Sequence, residues 1–183
     1  MDNFTREASG TAELIAENQI AIDQLIQLVT QMDNETYQTL MGRHGQQSVG
    51  KHVRHIIDHY TAFLAGAEQD QCWVLDYEHR EREAILECSG QAAADRLQQI
   101  KAQLNDCCTL HAGQPVFVDY PTANGMAGFG ASIGRELAFL TSHTVHHLAV
   151  VALLAEQLNY ETGPEFGVHP STLRYWEQQR AAG

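Results

Sequence analysis

The chain has 183 residues, with 11 Lys and Arg against 23 Asp and Glu, so its formal charge is 11 − 23 = −12. That length suffices to bury a core in a single domain spanning 1–183 without disulfides or a structural metal. The acidic balance disfavours nucleic acid and anionic membrane surfaces as partners, and the composition, 44% hydrophobic and 19% charged, is that of a globular rather than a disordered chain. Residues Met1 to Glu7 lack the basic head and apolar run of a signal peptide, and the longest uninterrupted apolar stretch runs only from Leu148 to Ala155. A cytoplasmic protein without a membrane span is expected. The four cysteines, Cys72, Cys88, Cys107 and Cys108, show no C-x-x-C spacing and read as reduced, mostly buried thiols.

Four segments carry a helical period. The first, from about Thr11 to Met32, repeats Leu14, Ile15, Ile22, Leu25, Ile26, Val29 and Met32 at three- and four-residue steps. The second starts with Ser48 as N-cap and runs through Val53, Ile56, Ile57, Tyr60, Phe63 and Leu64 to Ala67. The third follows Ser89-Gly90 and aligns Ala93, Leu97, Ile100, Leu104 and Cys107 or Cys108. The fourth, Ser132 to Leu158, places Leu137, Leu140, Val150, Val151 and Leu154 among its apolar positions. Pro115 to Pro121 reads as a short extended piece too isolated to form a sheet, and Gly125, Gly128 and Gly130 as a loop, because no strand precedes them as a dinucleotide site requires. Long amphipathic helices without convincing strands predict an all-α fold, a four-helix bundle with a short C-terminal helix.

The last segment, Phe166 to Glu177, resembles the recognition-helix stretch of MerR-type regulators. Such a helix needs a supporting partner helix and a positive field to hold phosphates. The charge of −12 argues instead for a packing helix, with Pro170 near its first turn and Leu173 and Trp176 against the bundle.

Ten histidines stand out in the composition, and six of them fall in two short stretches: His52, His55 and His59, then His143, His146 and His147. His143 and His147 are four residues apart, so both imidazoles project from one helical face, one turn apart, and can chelate a single cation. They share a stripe with Glu136, Leu140, Val151 and Leu154, which points them inward. Buried imidazoles without partners are costly, and a metal satisfies them. The Glu of a helical H-E-x-x-H zinc protease is missing, because Thr144, Val145 and His146 lie between. A third ligand is expected from the second helix, where a helical wheel favours His52 or His59 as the most inward residue.

The stretch from Ser48 to His59, followed by Ser142 to His147, resembles the DinB/YfiT-like superfamily. That resemblance implies a four-helix bundle holding a divalent metal, Zn, Ni or Fe, with His55 from the second helix and the pair His143 and His147 from the fourth. The H-x-x-H spelling of His52 and His55 is also similar to the DinB-like domain of iron-dependent sulfoxide synthases, where the second His is the ligand. His52, His59 and His146 become supporting or substrate-side residues. The chain reads His146-His147-Leu148-Ala149 where many relatives carry Arg-Gly-Gln after the last His.

Three imidazoles leave coordination positions open, as catalytic metal sites do. The resemblance therefore implies a metal-dependent enzyme, a thiol-dependent transferase or a hydrolase, acting on a small molecule such as a low-molecular-weight thiol. The competing reading is a non-catalytic, stress-related bundle in which the metal is structural. The segment Asp76 to Arg82 brings Tyr77, Arg80 or Arg82 to the mouth of the site, or else forms a solvated charged loop. A homodimer through an apolar helix face is also expected.

Overall fold

Three of the four long helices start on a serine. The computed structural model describes residues 3–67, 73–79 and 81–183, with side chains from residue 10 onward. Its long helices are α1 (Asn3–Val29), α3 (Val49–Ala67), α5 (Gly90–Asp106) and α6 (Ile133–Gln157). Ser48 Oγ accepts from the Lys51 amide at 3.2 Å, Ser89 Oγ from Ala92 at 3.2 Å and Ser132 Oγ from Arg135 at 3.3 Å. Each bond satisfies one of the amides that a helix start leaves without an internal partner. Short helices α2 (Asn34–Gln38) and α4 (Ile85–Cys88) and a 3-10 turn at Cys107–Thr109 complete the connections, and α7 (Pro170–Ala182) closes the chain.

Helix α1 packs on α5 and α6, and α3 packs on the same two. The stripes meet where the periodicity put them: Ile22 and Leu25, Val53 and Phe63, Leu97 and Ile100, and Leu137 and Leu140 are fully buried. Each such side chain stabilises the fold by about 1.5–3 kcal/mol relative to leaving it in water. By length and composition α6 could cross a membrane, yet in this fold it is a core helix carrying a fully buried Glu136. Gly50 lets α3 start hard against α4, for a Cβ there would sit 2.2 Å from the Glu87 carbonyl oxygen. Arg54 ties the same two helices, bonding Glu87 at 2.6 Å and Asp58 at 2.5 Å.

The all-α expectation fails at a small sheet. Strands β1 (Trp73–Asp76), β2 (Pro115–Thr122) and β3 (Gly125–Ser132) lie in the order β1-β2-β3. The glycine-rich stretch is thus a strand, paired antiparallel to β2 from Pro115↔Ser132 to Thr122↔Gly125. Gly125 closes the hairpin with φ +110°, a backbone that side-chain-bearing residues rarely adopt. The Asn124-Gly125 step was the available hairpin signal. β1 joins parallel to β2, Leu75 opposite Val118, and anchors the sheet to α3 through the Trp73 and Phe63 rings at 5.5 Å. Parallel pairing across some 40 residues of sequence leaves no local trace, which is why the extended piece read as isolated.

Two other expectations change. Helix α7 has Pro170 in its first turn but no buried residue: Leu173 is half-buried, whereas Trp176 is 36% exposed. Its attachment is polar, with Arg174 paired to Glu17 of α1. Cys107 is the buried stripe member, while Cys88 and Cys108 are exposed rather than buried; Cys72 lies outside the described residues.

Candidate metal centre

The contact between α3 and α6 brings the two histidine groups together. The His59 and His143 rings stack at 4.0 Å with 28° between planes. His55 lies 4.5 Å from His59 and 5.0 Å from His143, centroid to centroid. One ligand nitrogen from each of His55, His59 and His143 falls within 4.8 Å of the others, close enough to hold one ion. The His147 ring is 4.6 Å from both His55 and His143, and its Nδ1 lies 2.9 Å from Nδ1 of His52. His146 is exposed and touches only the edge of this cluster, at 5.0 Å from His147.

Hydrogen bonding decides which nitrogens are available. His59 Nδ1 lies 2.9 Å from the His55 carbonyl oxygen. A carbonyl only accepts, so Nδ1 carries the proton and Nε2 keeps the lone pair that a metal needs. His52 engages Nδ1 of His147 in the same supporting manner, leaving the other nitrogen of that ring free of this bond. His143 Nε2 and His52 Nε2 are buried without any hydrogen-bond partner. Each such orphan costs about 1–3 kcal/mol, which a ligand bond would offset.

Electrostatics keeps these rings in the ligand form. Burial, and then the neighbouring histidines, push His143 down to about 3. Burial and His52 push His147 down to about 4, and burial also lowers His52. All three are neutral at pH 7, as metal coordination requires.

Beside the cluster is a cavity of about 380 Å³, walled by α6, the end of β1 and the β2–β3 hairpin, with His59 in its wall. Tyr77 reaches it because Asp76 Oδ1 accepts from the Glu78 and His79 amides at 2.9 and 3.0 Å, a tight side-chain turn that bends the chain back. The Tyr77 ring stacks on His59 at 5.4 Å and 16°, and its hydroxyl donates to Glu136 Oε2 at 2.9 Å. Arg135 Nη1 donates to the other oxygen at 2.7 Å, so the fully buried Glu136 carboxylate is satisfied on both sides. Burial, with Glu136 alongside, pushes the Tyr77 phenol far above its ordinary value, so it stays protonated and donating. Of the segment from Asp76 to Arg82, Tyr77 and the exposed Glu78 line the cavity, and Tyr77 stacks on His59. Arg82 is exposed, with φ 51°, and is absent from the cavity wall; Arg80 lies outside the described residues. The arginine of the site is Arg135, which the sequence reading missed. Its place in the first turn after Ser132, one residue before a carboxylate on the inward stripe, was the usable signal.

Fold and site together define a mostly helical protein with a largely half-buried histidine cluster able to hold a metal ion. The chain belongs to the DinB family, whose model matches residues 1–166 of the 183. The match stops short of α7. The chain is also similar to "FK506-binding protein 5" of Rhizopus delemar, 27% identical over 109 residues, 58% of this chain and 28% of that protein. The match thus spans less than a third of that relative's length.

Proposed function

We propose that this chain is a metal-dependent enzyme acting on a small molecule, a thiol-dependent transferase or a hydrolase. Its divalent metal is held by histidines of α3 and α6, within a four-helix bundle made of α1, α3, α5 and α6. The observation that carries this reading is the buried, unbonded His143 Nε2 beside His59, which belongs both to the histidine cluster and to the wall of a 380 Å³ cavity. His55 and His143 are common to both ligand sets considered; the third ligand is His147 by family resemblance and His59 by nitrogen proximity.

A zinc, nickel or iron ion held by His55, His143 and either His59 or His147 would supply Lewis acidity that makes a water or thiol easier to deprotonate. The protein's part is positioning. The His55 carbonyl holds the His59 proton on Nδ1, Tyr77 stacks the ring in place, and Phe139, 5.6 Å from His143, keeps an apolar wall against water. Because the core of leucines, isoleucines and valines is complete without the histidines, the metal-free protein stays folded.

The test is metal content of tag-free protein. Wild type binds close to one equivalent, and His55→Ala and His143→Ala lose it. Whichever of His59→Ala and His147→Ala also loses it identifies the third ligand. Wild-type protein that retains no metal overturns the proposal, and unfolding on chelation marks a structural rather than a catalytic ion.

A further inference from the structure

We propose that the cavity beside His59 binds a small aromatic carboxylate, with Arg135 taking the carboxylate and the surrounding rings taking its flat body. The inference deepens the proposed function by naming a substrate class, and rests on it only for its biological meaning. Its volume, about 380 Å³, is in the range that holds small organic ligands. Tyr77 and Phe139, whose rings lie 5.3 Å apart, form the inner wall, and Tyr120 and Phe129 form the outer one. The two hairpin rings are 55% and 53% exposed. A flat apolar ligand would bury both, and aromatic pairs gain further from stacking.

Charge selects the sign of the ligand. On the hairpin, Val118 pairs with Phe129 and Asp119 with Gly128, so successive residues face opposite sides. Asp119 lines the cavity, but its Oδ1 lies 3.4 Å from where a Gly128 Cβ would stand, so its carboxylate is turned towards Gly128 rather than towards Phe129. The Glu136 carboxylate already has a donor on each oxygen. Glu78, the remaining acidic residue of the wall, is exposed, where solvent screens it. Arg135 spends one nitrogen on Glu136 and lies with its guanidinium carbon 5.3 Å from the Phe139 centroid. Its side chain is 62% exposed, which leaves further N–H donors of the planar fork for an incoming carboxylate.

Isothermal titration of metal-stripped protein with 2-naphthoate, its neutral amide 2-naphthamide and the cation 2-naphthylmethylamine tests this. The carboxylate is expected to bind about tenfold more tightly than either control, the size of one charge-assisted bond. Arg135→Gln should bring 2-naphthoate to the affinity of 2-naphthamide, and Arg135→Lys should restore part of the difference. Phe129→Ala, at an exposed position that does not threaten the fold, should weaken carboxylate and amide alike. Equal binding of carboxylate and amide by the wild type, tightest binding of the amine, or no binding of any probe overturns the proposal. Metal is absent throughout, so loss of the metal reading leaves this result standing, and failure of the probes leaves the metal content of the protein as it was.

Discussion

Two polar clusters sit side by side on α3 and α6, and they are built to opposite ends. Tyr60 follows His59 in the chain and Thr144 follows His143, yet each of these residues turns away from its neighbour towards α1. There, the Tyr60 hydroxyl donates to Asn18 Oδ1 at 2.7 Å, the Thr144 hydroxyl donates to Tyr60 at 3.1 Å, and Asn18 Nδ2 donates to the carbonyls of Leu14 and Leu137 at 2.8 and 3.1 Å. Asn18 and Tyr60 are fully buried, and every polar atom of the chain of bonds has a partner. One helical step away, the histidine cluster leaves His143 Nε2 and His52 Nε2 without one. A closed network stabilises one packing of the helices; an open one keeps lone pairs for something outside the chain. The contrast separates residues that hold α1, α3 and α6 together from residues that act.

The comparison breaks most sharply at His143. His143→Ala is expected to abolish metal binding while lowering the stability of the stripped protein less than any change at Asn18, as read by elemental analysis and urea unfolding. Equal metal content in variant and wild type would undo the division. Asn18→Ala should do the reverse. It leaves the Tyr60 hydroxyl proton without its acceptor and opens a void in a fully buried site, costing about 2–4 kcal/mol in urea unfolding, and leaves metal per folded molecule unchanged. Tyr60→Phe removes one hydroxyl and keeps the ring, so the loss should be smaller, about 1–2 kcal/mol.

pH dependence tests the same division without a substitution. His143 and His147 titrate near 3 and 4 in the folded protein against about 6.5 unfolded. Between those values the unfolded chain binds more protons, so stability rises with pH across that window. The metal-free protein should lose stability from pH 7 to pH 5, and His143→Ala should lose less over the same interval. A urea midpoint that stays constant between the two pH values would show that the cluster is not buried as described.

Much of this was legible in the chain. The apolar stripes of all four long helices, the caps at Ser48, Ser89 and Ser132 and the inward face of α6 follow from a 3.6-residue period and local hydrogen bonding, which neighbouring residues determine. The choice of His55 beside His143 came instead from the family resemblance, for the helical period favoured His52 or His59, and His59 does stand with them. The sheet, in contrast, depends on Trp73–Asp76 finding Pro115–Thr122 far along the chain, and Tyr77 depends on that strand to be carried to His59. Trp176 looked like a packing residue because its spacing from Leu173 fits a helix face, but the ring stays 36% exposed. Arg135 gained its place only when the hairpin folded over it.

By itself, then, the sequence determined the four long helices, the faces those four bury and which six histidines gather on two of them, because period, capping and residue type are local properties. Only the tertiary structure decided that His59 faces both the cluster and a cavity, that Tyr77, Glu136 and Arg135 form its wall, and that Tyr60 and Thr144 do not. Those outcomes turn on the rotation of α3 against α6 and on strands paired across the fold, where a 100° step along a helix separates a satisfied side chain from one left open to a ligand.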